Sequence, residues 1–181
     1  ENIPEIKAIA TKIVAGPHEK EYSATLEELM LTDDYASAEA VGSEHTALIT
    51  FTTGSSGTPK GADRSHRFLA SQHYALNRHL PYEAGDADLP AFPIFSLNNL
   101  AAGVTTVIPA FDVGTPADDD AKIILEQFVQ THTTCTTLSP SLFRTVYNYC
   151  LEEDITLDYL KRVVTGGAPV GRDDIVAMKK V

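Results

Sequence analysis

The sequence has few of the residues that build metal sites or disulfide frameworks. It contains no tryptophan, two methionines and two cysteines among 181 residues. Cys135 and Cys150 are too few and too widely separated for a zinc site or a redox pair, so we expect buried free thiols. The six histidines include no pair spaced four residues apart, which is the spacing of a helical metal site. These absences argue against a metal ion held by protein side chains alone.

Long apolar runs and clusters of basic charge are also absent. No run of about eighteen apolar residues occurs, and the first residues do not resemble a signal peptide, so we expect a cytoplasmic protein that does not span a membrane. Lysine and arginine number 14 against 25 aspartates and glutamates, which gives a formal net charge of −11. Such a charge repels nucleic acid, and we expect no nucleic-acid partner. No pattern indicates the oligomeric state.

The distribution of apolar residues is typical of an α/β fold. A hydrophobic fraction of 43% is ordinary for a globular domain, and 181 residues can bury a real core. Strand-like and helix-like segments alternate along the chain, which predicts a mostly parallel β-sheet flanked by helices. We predict strands at residues 6–14, 47–52, 91–92, 104–108, 133–138 and 160–165, that at 47–52 being buried. We predict helices at residues 25–30, 65–80, 97–102, 119–130 and 172–180, and one that starts at residue 139. The expected caps are Thr25, in a capping box with Glu28, and Ser65 and Ser139. In the helix that starts at residue 139, Leu142 and Val146 are expected to pack inward.

A dense group of glycine and hydroxyl residues, FTTGSSGTPKG, occupies residues 51–61. Glycine permits positive φ angles and a close approach of the backbone to a ligand, so that successive N–H groups can converge on an anion. The hydroxyls add donors, and Lys60 adds a mobile positive charge. The ordinary P-loop pattern does not fit, because Pro59 rather than glycine precedes the lysine. We predict a different phosphate-binding loop, formed by Thr52, Thr53, Gly54, Ser55, Ser56, Gly57, Thr58 and Lys60.

This stretch resembles a signature of the adenylate-forming (AMP-dependent synthetase/ligase) superfamily, TSGSTGxPKG followed by Ser/Thr-His. Thr53 and Ser56 exchange serine and threonine, which keeps both hydroxyls, and Ser65 and His66 stand where the trailing pair is expected. A second match, TGGAP at residues 165–169, is similar to the segment that lines the adenine pocket. A third, PIFS at residues 93–96, is similar to the Pro-Leu-Phe-His region, with serine in place of histidine. The three matches occur in the family's order.

The resemblance implies an acyl-CoA synthetase-like enzyme that uses ATP and Mg²⁺. It implies activation of a carboxylic acid, here a fatty acid, as an acyl-adenylate, and then transfer to coenzyme A. A related enzyme with another acceptor or product, such as a β-lactone synthetase, is the alternative. By this resemblance the loop of residues 51–61 holds the β- and γ-phosphates. The implied adenine pocket is formed by Gly166, Gly167, Ala168 and Pro169, and the implied acyl pocket by Phe95 and Ser96.

The resemblance also implies a position within a larger enzyme. We expect residues 1–181 to be a single internal segment of the large N-terminal AMP-binding domain, without the small mobile C-terminal domain. We expect the catalytic residues to lie outside this segment, and the segment by itself to be inactive.

The sequence leaves two other classes of protein open. One is a different ATP-using enzyme with an unusual loop, against which the Pro-Lys-Gly ending and the Gly-Gly-Ala-Pro segment both count. The other is a non-catalytic nucleotide-binding fragment. A plain Gly/Ser/Thr linker has no need of the Pro-Lys-Gly ending.

Overall fold

The computed structural model describes residues 4–17, 22–32, 37–53, 59–113, 117 and 120–181. The chain forms two compact units, Glu1–Gly42 and Ser43–Val181.

The first unit is built from short elements. These are α1 (Pro4–Lys7), β1 (Ile13–Val14), β2 (Ala24–Thr25) and α2 (Leu26–Met30), with β1 and β2 paired in parallel. The predicted strand at residues 6–14 is therefore largely wrong, since proline favours the first position of a helix and starts α1 here. The predicted capping box of α2 is confirmed. Thr25 Oγ1 accepts from Glu28 N at 3.1 Å, and Thr25 N donates to Glu28 Oε2 at 2.9 Å.

The second unit begins with an antiparallel hairpin that leads directly into a helix. Its elements are β3 (Thr46–Thr53), β4 (Pro59–Ser65) and α3 (His66–His79). Ser65 ends β4 and also caps α3, because its Oγ accepts a hydrogen bond from Phe68 N at 3.2 Å. The predicted helix and its cap are confirmed.

The first hairpin strand is not the buried strand that its apolar run predicts. Phe51 stands opposite Gly61 in the ladder, and its side chain is 70% exposed. Among the described residues, β4 is the only strand that pairs with β3. A short apolar run looks the same in a covered strand and in a hairpin, so the sequence pattern cannot distinguish them.

The rest of the second unit is a four-stranded parallel sheet with its helices. The predicted fold class is confirmed, because all its pairings are parallel and the strand order is β6-β5-β7-β8. The predicted strand at residues 91–92 lies earlier, because Pro93 starts a helix immediately after Phe92. The elements are β5 (Ala87–Pro90), α4 (Pro93–Ala102), β6 (Thr105–Thr106), α5 (Asp120–Thr131), β7 (Cys135–Leu138), α6 (Pro140–Glu152), β8 (Arg162–Thr165) and α7 (Arg172–Met178).

Helices cover both faces of this sheet. On one face, Leu89 of β5 and Leu138 of β7 lie in a core cluster with side chains of α5 and α6. On the other face, Asp88 of β5 bonds to Asn99 of α4. Adjacent residues of β5 thus serve opposite faces, as the strand period of two requires.

A buried polar cluster fixes α4 to the sheet. Asp88 is 1% exposed, and Asn99 Nδ2 donates to its Oδ2 at 2.7 Å. Tyr82 Oη lies 2.7 Å from Asn99 Oδ1 and 3.1 Å from Asp88 Oδ2. Burial raises the pKa of Asp88, and the hydrogen bonds from Asn99 and Tyr82 oppose that effect. Because a buried carboxylate without partners is costly, this cluster stabilises the packing of α4 on the sheet.

A second polar cluster joins the starts of three neighbouring strands. Asp86, Thr134 and Lys161 immediately precede β5, β7 and β8 respectively. Asp86 Oδ1 accepts from Thr134 Oγ1 at 2.8 Å and from Lys161 Nζ at 3.0 Å, while Oδ2 accepts from Glu83 N at 2.8 Å. Burial by itself raises the pKa of Asp86, but these hydrogen bonds outweigh burial and lower the pKa to about 2.

This cluster predicts a pH-dependent contribution to stability. The pKa of Asp86 is lowered from 3.8 to about 2 on folding, so its stabilisation is present above about pH 4 and is lost as the pH falls through 2. We expect Asp86→Asn to reduce the free energy of unfolding by about 2 kcal/mol at pH 7. The difference between wild type and variant should shrink toward pH 2 in urea titrations. A difference that does not change with pH contradicts the assignment.

Candidate functional site

The carboxyl ends of three parallel strands meet at one edge of the sheet. In the ladder, Pro90 of β5 stands opposite Thr137 of β7, and Leu138 of β7 stands opposite Thr165 of β8. Parallel sheets bind ligands beyond this edge. The residues that leave the sheet here include Phe92, Ser139 and Gly166.

The predicted adenine segment, residues 166–169, follows β8 at this edge without forming a regular element. Gly167 has φ +91°, a conformation that residues with a Cβ rarely adopt. A Cβ placed on Gly167 would lie 3.8 Å from Phe92 Cζ, so the ring of Phe92 lies beside the bare backbone. The exposed small residues and the neighbouring ring form a surface that suits a flat ligand.

Phe92 also connects this segment to α4. Its ring packs edge-on against Phe95, with ring centres 6.3 Å apart and planes at 61°. The residue before a proline is held in extended backbone, and Phe92 has φ −106° and ψ 112° before Pro93. The chain turn that starts α4 therefore places Phe92 against the sheet edge and Phe95 on the first turn of the helix.

An apolar cavity of about 520 Å³ lies between α3 and α4. Phe95, one of the two predicted acyl-pocket residues, is half-buried and lines this cavity. Ser96, the other predicted residue, is half-buried on α4 but is not among the described residues that line it. The apolar lining includes Leu69, Leu76, Ile94, Leu97 and Ala101.

One wall of this cavity is polar. His73 Nδ1 lies 3.0 Å from Asn98 Oδ1, and Asn77 Nδ2 lies 3.0 Å from His73 Nε2. With the two amides oriented in this way, Asn77 Nδ2 donates to Nε2, and Nδ1 donates to Asn98 Oδ1. His73 and Asn98 line the cavity together with the polar residues His66 and Gln72.

The predicted phosphate loop lies at the tip of the hairpin. Thr52 and Thr53 are the last residues of β3, and they stand opposite Lys60 and Pro59 of β4. Gly54, Ser55, Ser56, Gly57 and Thr58 lie outside the described residues. Of the predicted loop, the structure therefore describes only the strand residues on either side of positions 54–58. The backbone of Thr52 and Thr53 belongs to the ladder.

The basic residues of the hairpin differ in their surroundings. Lys60 is exposed and forms no ion pair with any described residue, which leaves its ammonium group accessible to an anion. Arg64 instead donates to Thr50 Oγ1 at 3.2 Å, and Arg67 pairs with Glu44 at 2.9 Å. The two arginines therefore stabilise the hairpin and the start of α3 locally.

No sequence motif indicates Phe92, His73 or Asn98 as residues of the site. The position of Phe92 could have been predicted from Pro93. The residue before a proline is held in extended backbone, so Phe92 leaves the edge of the sheet in extended form. His73 and Asn98 stand 25 positions apart, and no short motif connects them. Only the packing of α3 against α4 brings them together.

The described residues add no site for a metal ion. No three histidine, cysteine or acidic side chains among them are grouped so as to hold one. Cys135 and Cys150 are buried free thiols, as predicted, and burial raises the pKa of Cys150 to about 11. No helix within the described part of the chain is long and apolar enough to cross a membrane.

Known proteins resemble the chain along most of its length. A profile of the family described as AMP-binding enzyme matches residues 2–181. The chain is 34% identical over 142 residues to the olefin beta-lactone synthetase of Stenotrophomonas maltophilia, covering 78% of the chain and 25% of that relative. It is 33% identical over 133 residues to the olefin beta-lactone synthetase of Xanthomonas campestris, covering 74% and 23%. The chain thus spans about a quarter of the length of these curated relatives.

Solved structures share the fold at low sequence identity. The luciferase-like enzyme of the mealworm Zophobas morio superposes with a TM-score of 0.73 at 18% identity, covering 97% of this chain and 41% of that one. A long-chain-fatty-acid-CoA ligase from Archaeoglobus fulgidus superposes with a TM-score of 0.68 at 22% identity, covering 88% and 34%.

The backbone of the glycine segment supports a matched pair of substitutions. We expect Gly167→Ala to lower the free energy of unfolding by about 1–2 kcal/mol, because its φ of +91° strains a residue with a Cβ. Gly166→Ala is the control, since no atom lies within 4 Å of the added Cβ. Urea unfolding of both variants measures the difference. Equal stabilities contradict a backbone constraint at Gly167.

Proposed function

The chain belongs to the AMP-binding enzyme family, and we propose that it forms the nucleotide-binding part of an enzyme that activates a carboxylic acid with ATP. The family is adenylate-forming. The observation that carries the proposal is the position of the 166–169 segment and Phe92 at the carboxyl edge of the sheet, in a chain that also has the 51–61 motif. Both segments match the family's signatures in order.

The proposed first reaction is an attack of the substrate carboxylate on ATP. A carboxylate oxygen bonds to the α-phosphorus, the bond from that phosphorus to the bridging oxygen breaks, and pyrophosphate leaves. The products are an acyl-adenylate and pyrophosphate. Such a displacement needs alignment of the reactants and neutralisation of charge more than covalent help from the protein.

The nucleotide would extend between the sheet edge and the hairpin tip. Adenine would lie against Gly166, Gly167, Ala168 and Pro169, beside the ring of Phe92. The β- and γ-phosphates would meet the predicted loop of residues 52–58 and the ammonium group of Lys60. The accessibility of Lys60 supports this role. Mg²⁺ would enter with ATP and take most of its ligands from phosphate oxygens, as this ion commonly does.

The acid would bind along α4. The cavity between α3 and α4 supports a long apolar chain, because its lining is mostly aliphatic and Phe95 stands at its edge near Phe92. We therefore propose a fatty acid as the substrate class.

Two reactions of the acyl-adenylate are candidates for the second step. In the first, the thiol sulfur of coenzyme A attacks the acyl carbon, the acyl–phosphate bond breaks, AMP leaves and the thiol proton is released, which gives a thioester. In the second, an acid with a β-hydroxyl group attacks its own activated carbonyl, the acyl–phosphate bond breaks, AMP leaves and the hydroxyl proton is released, which gives a β-lactone. The two relatives at 34% and 33% identity are olefin beta-lactone synthetases and favour the second.

Substitutions in the hairpin test whether Lys60 and the predicted loop bind the phosphates of ATP. In the protein at its natural length, we expect Lys60→Ala to reduce carboxylate-dependent pyrophosphate exchange at least about tenfold, because one charge-assisted contact to phosphate is lost. Gly57→Val should do the same by stiffening the tip. Lys122→Ala, at an exposed lysine of α5, is the charge-matched control and should exchange normally. Wild-type exchange in Lys60→Ala refutes the role.

A panel of acids tests the second step. Fatty acids with and without a β-hydroxyl group are incubated with ATP and Mg²⁺, each with and without coenzyme A, and the products are analysed by mass spectrometry. We expect a product at the mass of the acid minus water, only from the β-hydroxy acids and without coenzyme A. Thioester formed from both kinds of acid would instead select the coenzyme A route.

A further inference from the structure

The glycine segment is held at both ends. At its start, Thr165 is paired with Leu138 in the ladder between β8 and β7. Near its end, Val170 packs against the core cluster. Gly171 follows and is the N-terminal cap of α7. A side chain that holds Gly171 therefore helps to fix the position of residues 166–169, of which 167–169 are exposed.

Asp174 is that side chain. Its Oδ2 accepts a hydrogen bond from Gly171 N at 3.3 Å and from Arg144 Nε at 3.1 Å. Its Oδ1 accepts from Tyr147 Oη at 2.7 Å. Arg144 and Tyr147 belong to α6, which packs on the sheet, so one carboxylate joins the start of α7 to a helix of the core.

The groups around Asp174 hold its side chain in one position. Its side chain is 17% exposed, and Tyr147 is buried with its ring edge-on to Phe143, so the phenol hydroxyl has little freedom. The hydrogen bond from Tyr147 and that from Arg144 hold the pKa of Asp174 below its ordinary value. A Cβ on Gly171 would lie 3.2 Å from Asp174 Oδ2, which is closer than such contacts normally are. Glycine at position 171 thus permits the close approach of the carboxylate.

We propose that Asp174 is a positioning residue for ATP: by holding Gly171 against α6, it fixes the segment of residues 166–169 on which adenine binds. The proposal rests on the function proposed above. Asp174 acts through the backbone and does not touch the nucleotide. Loss of the contact should leave the sheet intact and let the segment move, which weakens the binding of ATP before it affects the acid.

Three variants of the natural-length protein separate this role from a general charge effect. Asp174→Asn keeps the size of the side chain but presents an amide nitrogen to donors that need an acceptor. Asp174→Glu keeps the carboxylate, and glutamate is the usual partner of the cap residue at this helix position. Asp173→Asn is the control, because it removes the same charge from the same first turn of α7.

The kinetic measurement is the split between KM and kcat in pyrophosphate exchange. We expect Asp174→Asn to raise the KM for ATP about 5- to 20-fold, with kcat and the KM for the acid within about twofold of wild type. Asp174→Glu should recover most of the ATP affinity, and Asp173→Asn should behave as wild type. An unchanged KM for ATP in folded Asp174→Asn overturns the proposal, and so does an equal rise in Asp173→Asn.

A second measurement does not depend on activity. Amide hydrogen exchange should become faster in residues 166–171 of Asp174→Asn and not in Asp173→Asn. If Asp174→Asn does not fold, Tyr147→Phe removes one of the same hydrogen bonds and should shift both measurements in the same direction. Unchanged exchange shows that Asp174 does not hold the segment. A wild-type protein with no ATP-dependent exchange of pyrophosphate instead refutes the proposed function, while the amide measurement still decides whether the contact exists.

Discussion

The carboxylate of Asp86 holds the starts of three strands together. Its partners, Thr134 and Lys161, precede the two strands that follow β5 in the sheet order, so the hydrogen bonds cross the sheet at its amino edge. Strands that start in register and run parallel also end in register. The glycine segment after β8 and the Phe92 turn after β5 therefore emerge at the same level. The hydrogen bonds of Asp86 at the amino edge of the sheet thus help to fix the carboxyl edge, beyond which parallel sheets bind ligands.

The proposed nucleotide site combines two kinds of backbone. The adenine side is built at the end of a parallel sheet, whose strands are separated by long helical connections and are therefore fixed by the core. The phosphate side is built at the end of a two-stranded antiparallel hairpin with exposed side chains such as Phe51. A sheet with covered faces holds its edge rigidly, whereas a hairpin with exposed faces has fewer packing constraints. This difference would suit the proposed reaction, in which the adenylate stays bound while pyrophosphate leaves.

Local patterns in the sequence are reliable where the interaction itself is local. The caps at Thr25, Ser65 and Ser139 are all confirmed, because each hydroxyl accepts from a backbone N–H three positions later. The inward side of α6 is likewise confirmed by the burial of Leu142 and Val146.

Long-range contacts explain what the sequence could not predict. Asp86 meets Thr134 across 48 positions and Lys161 across 75, and Asp174 meets Tyr147 across 27. No spacing rule reaches so far, and an isolated acidic residue is ordinarily exposed to solvent. The exposed state of β3 is missed for a related reason, because burial of a strand depends on what the rest of the chain places over it. The glycine-rich motif identifies the kind of ligand expected there, and its structural setting follows only from the fold.

The double role of Ser65 bears on protein engineering. Because the same residue ends the second hairpin strand and caps α3, the hairpin and the helix share a joint with no linker between them. Thr53 and Pro59 are paired with each other in the ladder, so the residues between them enter and leave at adjacent positions. Tips of different length taken from relatives could therefore be grafted between Thr53 and Pro59 without altering the helix or the cavity behind it.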